Sequence, residues 1–363
     1  MILPMALSKN VLALFPDDYN SARESFNSLS KSCPMVKDIL SFPLQSQGND
    51  LSLSTEIIWI GQRSAPNVLV LISATHGVEG FVGAAVQADL ITRIQQGYLI
   101  PENTAILLVF ALNPYGFAHC RRCDEKGIDL NRNFIDFNKL LPENKGYELL
   151  RQAIYLDDSH QRQKVFQAFQ LEHGQTAFEI AISGGQYTDP QGPFYGGSTL
   201  SHGRTIIEKI IGTYQLDQRH LAVIDVHSGL GSYGHGEVIS DHPVDSSGHK
   251  IANRWYGASV TSPAEGDSSS VEKIGLLDYC WHPLMTQRGC FVTLEFGSYR
   301  TQALFDVILN DHRCWKAGNQ QDIIESAKAM KEHFCPADSY WRELVLIKAR
   351  QVIQQAVDGL HYD

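Results

Sequence analysis

Four short apolar runs constrain the fold of this chain more than any other feature of the sequence. They are "VLVLIS" (68–73), "AILLVFAL" (105–112), "LAVIDVH" (221–227) and "CFVTLEF" (290–296). Apolar runs of this length, bounded by turn residues, predict buried strands. The segments between and after them look helical, notably 82–96, 146–173, 203–212, 321–333 and 339–357. The sequence therefore predicts an α/β fold, a three-layer α/β/α sandwich with a mixed, largely parallel central sheet.

The chain reads as one domain. We find no repeat, low-complexity tract or long linker that would divide it. Residues 1–50 look like a partly helical N-terminal lead-in packed on the domain, and residues 51–363 like the domain itself.

Composition excludes several classes of protein. Of the 363 residues, 43% are hydrophobic and 19% charged, as in an ordinary folded domain. Lys and Arg number 30 against 40 Asp and Glu, a net charge of −10, so we expect no nucleic-acid partner. No apolar run approaches the roughly 18 to 20 residues of a membrane span, and the N-terminal segment makes a poor signal peptide. We therefore expect a cytoplasmic protein with no membrane partner; the oligomeric state stays open.

The cysteines and several histidines favour structural interpretations. Seven scattered cysteines, an odd number, argue against a disulfide framework. Cys120 and Cys123 have the spacing of half a zinc site, but no second pair of that spacing exists, so we interpret them as core thiols. His235, His242 and His249 fall in a stretch rich in Gly, Ser and Asp, and we interpret them as surface or loop histidines.

Each apolar run ends in polar residues. The first is followed by His76 and Glu79 and the second by Asn113, the third ends in His227, and the last contains Glu295. In open α/β sheets, ligands bind outside the carboxyl ends of the strands. We therefore expect these side chains to meet at one edge of the sheet.

Three of these residues form a metal-ligand set. Two imidazoles and a carboxylate are typical of a catalytic zinc site whose fourth position is open for water. His76 and Glu79 form a local H-x-x-E pair, and His227 supplies the distant ligand. The H-x-x-E spacing alone is weak, because it occurs by chance in many proteins. The sequence predicts one zinc ion on these three side chains and leaves a second ion open.

The stretch "CRRCDEKGIDLNRNF" (120–134) adds a resemblance. Its "DLNR" element, together with H-x-x-E, His227 and the "TLEFGSY" around Glu295, resembles the carboxypeptidase A-like zinc metallocarboxypeptidase superfamily in residue identity and order. The resemblance spans roughly residues 65 to 300. Three further stretches are similar to an uncharacterised branch, known only as a domain of unknown function: "GGQYTDPQGPFYGG", "DVHSGLGSYG" and "LEFGSY".

The resemblance implies roles for the matching residues. His76, Glu79 and His227 match the zinc ligands, and Glu295 matches the catalytic general base. Asp129 matches the carboxylate that hydrogen-bonds a ligand imidazole, a partner that ligating histidines nearly always have.

Further matches concern the substrate. Arg122 matches the arginine that stabilises the oxyanion, with Arg121 as the alternative. Asn131 and Arg132 match the pair that holds the terminal carboxylate of the substrate, a task suited to the planar guanidinium. A tyrosine closes over the substrate in the digestive relatives; the candidates are Tyr256 and Tyr279, of which we favour Tyr279.

The implied function is a zinc metallocarboxypeptidase that removes a C-terminal residue from a peptide. The alternative is a zinc amidohydrolase of N-acyl amino acids, of the related aspartoacylase or succinylglutamate desuccinylase type. A second alternative is a binding module with an inactive site, and Glu295 argues against it because binding alone needs no general base. Side-chain preference does not follow from the resemblance.

Overall fold

An eight-stranded sheet forms the centre of the protein. The computed structural model describes residues 11–44, 52–285 and 287–362. The strands are β1 (Val36–Pro43), β2 (Ser54–Ile60), β3 (Asn67–Ile72), β4 (Thr104–Phe110), β5 (His220–Ser228), β6 (Gly236–Ile239), β7 (Val260–Thr261) and β8 (Gly289–Phe296). They lie side by side in the order β1-β2-β4-β3-β5-β8-β6-β7.

The middle of this sheet is parallel. β4, β3, β5 and β8 run in one direction, whereas β2 joins β4, and β6 joins β8, in the antiparallel sense. The four parallel strands coincide with the four apolar runs of the sequence, and the predicted mixed sheet is confirmed. Because the strands are parallel, their carboxyl ends lie at one edge, where a site can form.

Helices complete the fold. They are α1 (Tyr19–Ser32), α2 (Gly80–Gln95), α3 (Pro114–Ala118), α4 (Lys145–Ile154), α5 (Ser159–His173), α6 (Gln175–Ser183), α7 (His202–Thr213), α8 (Ser247–Tyr256), α9 (Thr301–Ala317), α10 (Gln320–Phe334) and α11 (Ser339–Tyr362). Within the described ranges, none of them is both long and apolar enough to cross a bilayer.

Both faces of the sheet are covered, as the predicted three-layer sandwich requires. On β3, Leu69 and Leu71 join an apolar cluster with α2 and α11, whereas Val68 and Val70 join a second cluster with α7. Strand side chains alternate between faces, so a strand buried throughout must be covered on both sides. The burial of all six residues of β3 follows from this arrangement.

Local sequence explains one difference from the predicted helices. The single helical stretch expected over 146–173 is two helices, α4 and α5, because Asp158 caps a new one. Its carboxylate accepts hydrogen bonds from the backbone N–H groups of His160 and Gln161, the usual way to begin a helix.

One of the three histidines predicted on loops or at the surface lies elsewhere. His249 is helical, because Ser246 caps α8 and accepts a hydrogen bond from the backbone N–H of His249, and it is buried. His242 lies in the loop between β6 and α8, as expected, but it is buried, and its Nε2 accepts a hydrogen bond from the backbone N–H of Phe291 at 3.0 Å. His235 is exposed, as expected.

The N-terminal segment contributes to the sheet. β1 pairs with β2 in the antiparallel sense, and α1 packs on α2. The division predicted at residues 50 and 51 lies outside the described residues, and the single-domain organisation stays a prediction.

None of the seven cysteines, all of which lie in the described ranges, forms a disulfide. Burial raises the pKa of the Cys120 thiol to about 11 and that of Cys123 to about 12. Thiols that stay protonated are poor nucleophiles and poor metal ligands, which agrees with the structural interpretation of this pair.

Candidate active site

A tight turn after β3 carries two of the predicted ligands. His76 precedes a single 3₁₀ turn, Gly77–Glu79, that leads directly into α2. A Cβ at Gly77 would lie 2.1 Å from the carbonyl carbon of Gly116, so only glycine permits this approach. The backbone N–H of Val78 then donates to the carbonyl of Arg121 at 2.8 Å. The glycine therefore docks the ligand-bearing turn onto the segment that carries the candidate arginines.

His76, Glu79 and His227 converge into one buried cluster. One ligand atom from each lies within 4.8 Å of the others. Nδ1 of His76 is 2.9 Å from Oε1 of Glu79, and Nδ1 of His227 is 2.9 Å from Oε2. The two Nδ1 atoms lie 3.1 Å apart. Within the described residues this is the only such group of three.

Each imidazole has a carboxylate behind it. Nε2 of His76 lies 3.2 Å from Oδ1 of Asp129. Nε2 of His227 lies 2.6 Å from Oδ2 of Asp225, whose other oxygen accepts a hydrogen bond from the hydroxyl of Thr75 at 2.8 Å. If each imidazole carries its proton on Nε2, that proton is donated to the carboxylate behind it. Nδ1 then keeps its lone pair, which faces Glu79, as a metal ligand requires.

Sequence reasoning found Asp129 and missed Asp225. The signal was present, because residues two apart on a strand share a face and Asp225 precedes His227 on β5.

The charges in this cluster favour the binding of a cation. Burial would raise the pKa of Glu79, yet the neighbouring His76 and His227 lower it to about 2. Burial likewise opposes the charge on His227, but Asp225 and Glu79 raise its pKa well above the ordinary value. The cluster therefore contains a buried carboxylate, that of Glu79, which positive charge stabilises. It offers two nitrogen atoms and one oxygen atom as metal ligands. This is the donor set of catalytic zinc sites.

Glu295 faces the cluster from the neighbouring strand. In the β5–β8 pairing it lies opposite His227, and it lines the same cavity. Its Oε1 accepts a hydrogen bond from the backbone N–H of Leu230 at 3.0 Å. Burial, and secondly the charge of Glu79, raise the pKa of Glu295 to about 8.

Arg122 lies against the other side of the cluster. Its Nε donates to Oδ2 of Asp129 at 2.8 Å, and its Nη2 lies 2.7 Å from Nε2 of His76. The guanidinium also stacks over the ring of Phe194, 4.9 Å from the ring centroid. Arg121 points elsewhere and pairs with Asp311 at 3.0 Å, so of the two candidates only Arg122 lines the cavity.

Asn131 and Arg132 also line the cavity. Asp129 caps the 3₁₀ turn that contains them, which ties them to the cluster. Nε and Nη2 of Arg132 donate to the carbonyl of Ser183, and Nη1 donates to the carbonyl of Asn131. A guanidinium has five N–H donors, so two remain. Burial lowers the pKa of Arg132 to about 10, well above neutral pH.

Neither candidate tyrosine lines the cavity. Tyr256 is buried in the apolar core. Tyr279 is partly exposed, and its hydroxyl donates to the backbone carbonyl of Lys273 at 3.0 Å. The side chain that does line the cavity near this point is that of Lys273, with Asp241 as a further lining residue. Nothing in the local sequence marks either of them.

The fold and the site together define an α/β protein with a buried His-Glu-His cluster at the carboxyl edge of its parallel strands. The chain belongs to a family described as "Protein of unknown function (DUF2817)", whose model matches residues 15–348. The prediction of an uncharacterised family is thereby confirmed. No curated protein matches the chain.

Several solved structures are similar to the chain at low identity. Bovine thrombin-activatable fibrinolysis inhibitor, in complex with tick carboxypeptidase inhibitor, is 11% identical over 93% of this chain and 97% of its own, with a TM-score of 0.48. Carboxypeptidase A from Helicoverpa armigera is 16% identical over 86% and 73%, with a TM-score of 0.47. An aspartoacylase family protein from Mesorhizobium loti is 15% identical over 78% and 67%, with a TM-score of 0.39. Likenesses of this size identify no activity for the chain.

Proposed function

We propose that the protein is a zinc-dependent metallocarboxypeptidase, which hydrolyses the amide bond to the C-terminal residue of a peptide. One observation carries the proposal: the buried cluster of His76, Glu79 and His227 shares a cavity with Glu295 and Arg132. Ligands, base and carboxylate receptor are the parts that such a reaction needs.

His76, Glu79 and His227 would hold the ion through two Nδ1 atoms and a carboxylate. When bound, zinc acidifies water and polarises the substrate carbonyl. Asp129 and Asp225 would keep the two imidazoles in the ligating tautomer by accepting their Nε2 protons.

Glu295 would act as the general base and then as the general acid. Its carboxylate takes a proton from water as the water oxygen bonds to the amide carbonyl carbon. It then gives that proton to the amide nitrogen as the carbon–nitrogen bond breaks, which releases the amino acid and a shortened carboxylic acid. The pKa of Glu295, raised from 4.5 to about 8, lies within about one unit of neutral pH, which suits a group that must both accept and donate a proton.

The two arginines would serve different oxygens. A proton on Nε2 of His76 satisfies Asp129 and frees Nη2 of Arg122 to donate to the oxyanion that develops on the carbonyl. Arg132, with Asn131 beside it, would hold the free α-carboxylate of the residue to be released.

A deacylase of N-acyl amino acids is the second candidate. Its released product also carries a free α-carboxylate, which Arg132 would hold in the same way. The two candidates differ only in the acyl side, a peptide in one and a small acid in the other.

Substrate panels separate the candidates. The zinc-loaded protein should cleave N-blocked peptides with a free C-terminus and spare the same peptides as C-terminal amides, and a chelator should abolish cleavage until zinc is restored. Faster cleavage of N-acetyl or N-succinyl amino acids than of any peptide would make the protein a deacylase. Equal cleavage of free-acid and amidated peptides would contradict both assignments. If the zinc-loaded protein cleaved none of these substrates, the remaining alternative would be a binding module with an inactive site.

A further inference from the structure

Two opposite charges in the active-site cavity have no part in the chemistry just described. Lys273 and Asp241 both line this cavity, and both also line the adjoining one, so they lie where the two cavities meet. The Lys273 ammonium donates to the hydroxyl of Ser270 and to the carbonyl of Val271, both neutral oxygens of its own loop. Among the residues that the structure describes, neither Lys273 nor Asp241 forms an ion pair, and the Asp241 carboxylate makes no hydrogen bond.

The loop that presents Lys273 is held in place. Glu237, on β6, accepts hydrogen bonds from the hydroxyl of Ser268 at 2.8 Å and from the backbone N–H of Ser269 at 3.0 Å. The Tyr279 hydroxyl binds the carbonyl of Lys273 itself. The position of the ammonium is therefore fixed before a substrate enters, as a recognition group requires.

The pair carries one charge of each sign at neutral pH. Burial, and then Arg132, lower the pKa of Lys273 to about 8. Burial, and then Asp278, raise the pKa of Asp241 to about 6. The pKa of Lys273 lies above neutral pH and that of Asp241 below it, so both groups are charged and the two charges cancel.

We infer that Lys273 and Asp241 together recognise the side chain of the released residue, and that this side chain ends in a group that both accepts and donates a hydrogen bond, as the carboxamide of glutamine does. The inference rests on the proposed function. The carbonyl of such a group accepts from Lys273 while its amino group donates to Asp241, so both charges are satisfied.

Other side chains fit this pair less well. An acidic group would face Asp241, and a basic group would face Lys273 and the nearby Arg132. An apolar side chain would remove water from both charges and give no hydrogen bond in return, which is costly. Rejection of these three classes is built into one pair of residues.

Two variants test the pair, because they must shift selectivity in opposite directions. The substrates are four N-blocked peptides, identical except for a C-terminal Gln, Glu, Lys or Leu. The native protein should prefer Gln by at least about tenfold, the loss typical of one hydrogen bond to a charged group. Lys273→Met should raise the Lys-to-Glu ratio of kcat/KM by about tenfold or more, and Asp241→Asn should lower it by a similar factor. The exposed Lys139 provides the matched control, Lys139→Met, which should leave the ratio as in the native protein.

A binding measurement gives a second readout. Calorimetric titration with free L-glutamine, L-glutamate and L-lysine should show the same opposite shifts in relative affinity. If the affinities shift as expected while no peptide is cleaved, the recognition pair stands and the proposed function falls. If peptides are cleaved but both variants keep the native selectivity, or shift it in the same direction, the inference is overturned and the proposed function stands.

Discussion

Asp225 and His227 lie two residues apart on one strand and share a hydrogen bond of 2.6 Å between Oδ2 and Nε2. The alternation of a strand puts both side chains on the same face, so the carboxylate reaches the imidazole from behind. Thr75 fixes the second oxygen of Asp225. The orientation of His227 is therefore set by its own strand and by the segment that follows β3.

Replacing Asp225 should weaken metal binding. Asp225→Asn keeps the shape of the side chain but removes the charge that stabilises the ligating tautomer of His227. We expect zinc affinity to fall by roughly 10- to 100-fold, the usual cost of losing such a partner. Competition with a chromophoric chelator measures it. Asp217→Asn, at an exposed position shortly before the same strand, is the control and should bind zinc as the native protein does.

Metal binding should release protons. Because the pKa of His227 is raised well above its ordinary value, the metal-free cluster holds a proton on Nδ1 at neutral pH, and the ion must displace it. Affinity should therefore rise with pH between about 6 and 8. Calorimetry in buffers of different ionisation enthalpy counts the protons, and the exposed His235→Ala should give the native number. An apparent enthalpy that does not vary with buffer would contradict the assignment.

Glu295→Gln should strongly reduce turnover without loss of metal. The amide keeps the shape of the carboxyl group and cannot accept the proton, so kcat should fall by roughly 10² to 10⁴ while the zinc content stays at about one per chain. Metal analysis and kinetics on the same preparation test this. An unchanged kcat in a zinc-loaded, folded variant would exclude Glu295 as the base.

The same variant should change the stability of the metal-free protein in a pH-dependent way. The folded pKa of Glu295, about 8, lies above the ordinary value of 4.5, so the native chain must either hold a proton or bury a charge. Ionisation of the unfolded chain above pH 4.5 therefore destabilises the native fold progressively, up to about pH 8. Gln has no such penalty. The melting temperature of Glu295→Gln should exceed that of the native protein by a margin that grows from pH 4.5 to 8; a constant margin would be inconsistent with the raised pKa.

Arg132→Lys tests the recognition of the free carboxylate. Lysine keeps the charge but loses the fork that donates two parallel hydrogen bonds, so kcat/KM on free-acid peptides should fall by roughly 10- to 150-fold. Amidated peptides, already poor substrates, should lose little more. Arg204, which binds two backbone carbonyls outside the cavity, gives the matched control Arg204→Lys. If kcat/KM fell equally on free-acid and amidated peptides, Arg132 would have a structural role and no role in carboxylate recognition.

The sequence by itself determined the four parallel strands at the centre of the sheet and the residues at their ends; β1, β2, β6 and β7 were not predicted. Runs such as 68–73 and 290–296 are short, apolar and bounded by turn residues, which predicts buried strands, and parallel strands bring their carboxyl ends together at one edge. His76 and Glu79 could be predicted for a second reason: both lie in one glycine-flanked turn, whose conformation depends on neighbouring residues in the sequence. His227 and Glu295 followed, since each lies on a strand whose position is set by hydrophobic burial.

Only the tertiary structure decided what surrounds that edge. Lys273 reaches the cavity because Glu237, on β6, accepts hydrogen bonds from Ser268 and Ser269 of its loop. The Tyr279 hydroxyl also donates a hydrogen bond to the carbonyl of Lys273. The contacts to Glu237 join residues more than 30 positions apart in the chain, and neither composition nor periodicity encodes them. A strand is specified by the burial of its own side chains, whereas a loop conformation is specified by the partners that its polar groups find, and those partners exist only once the chain has folded.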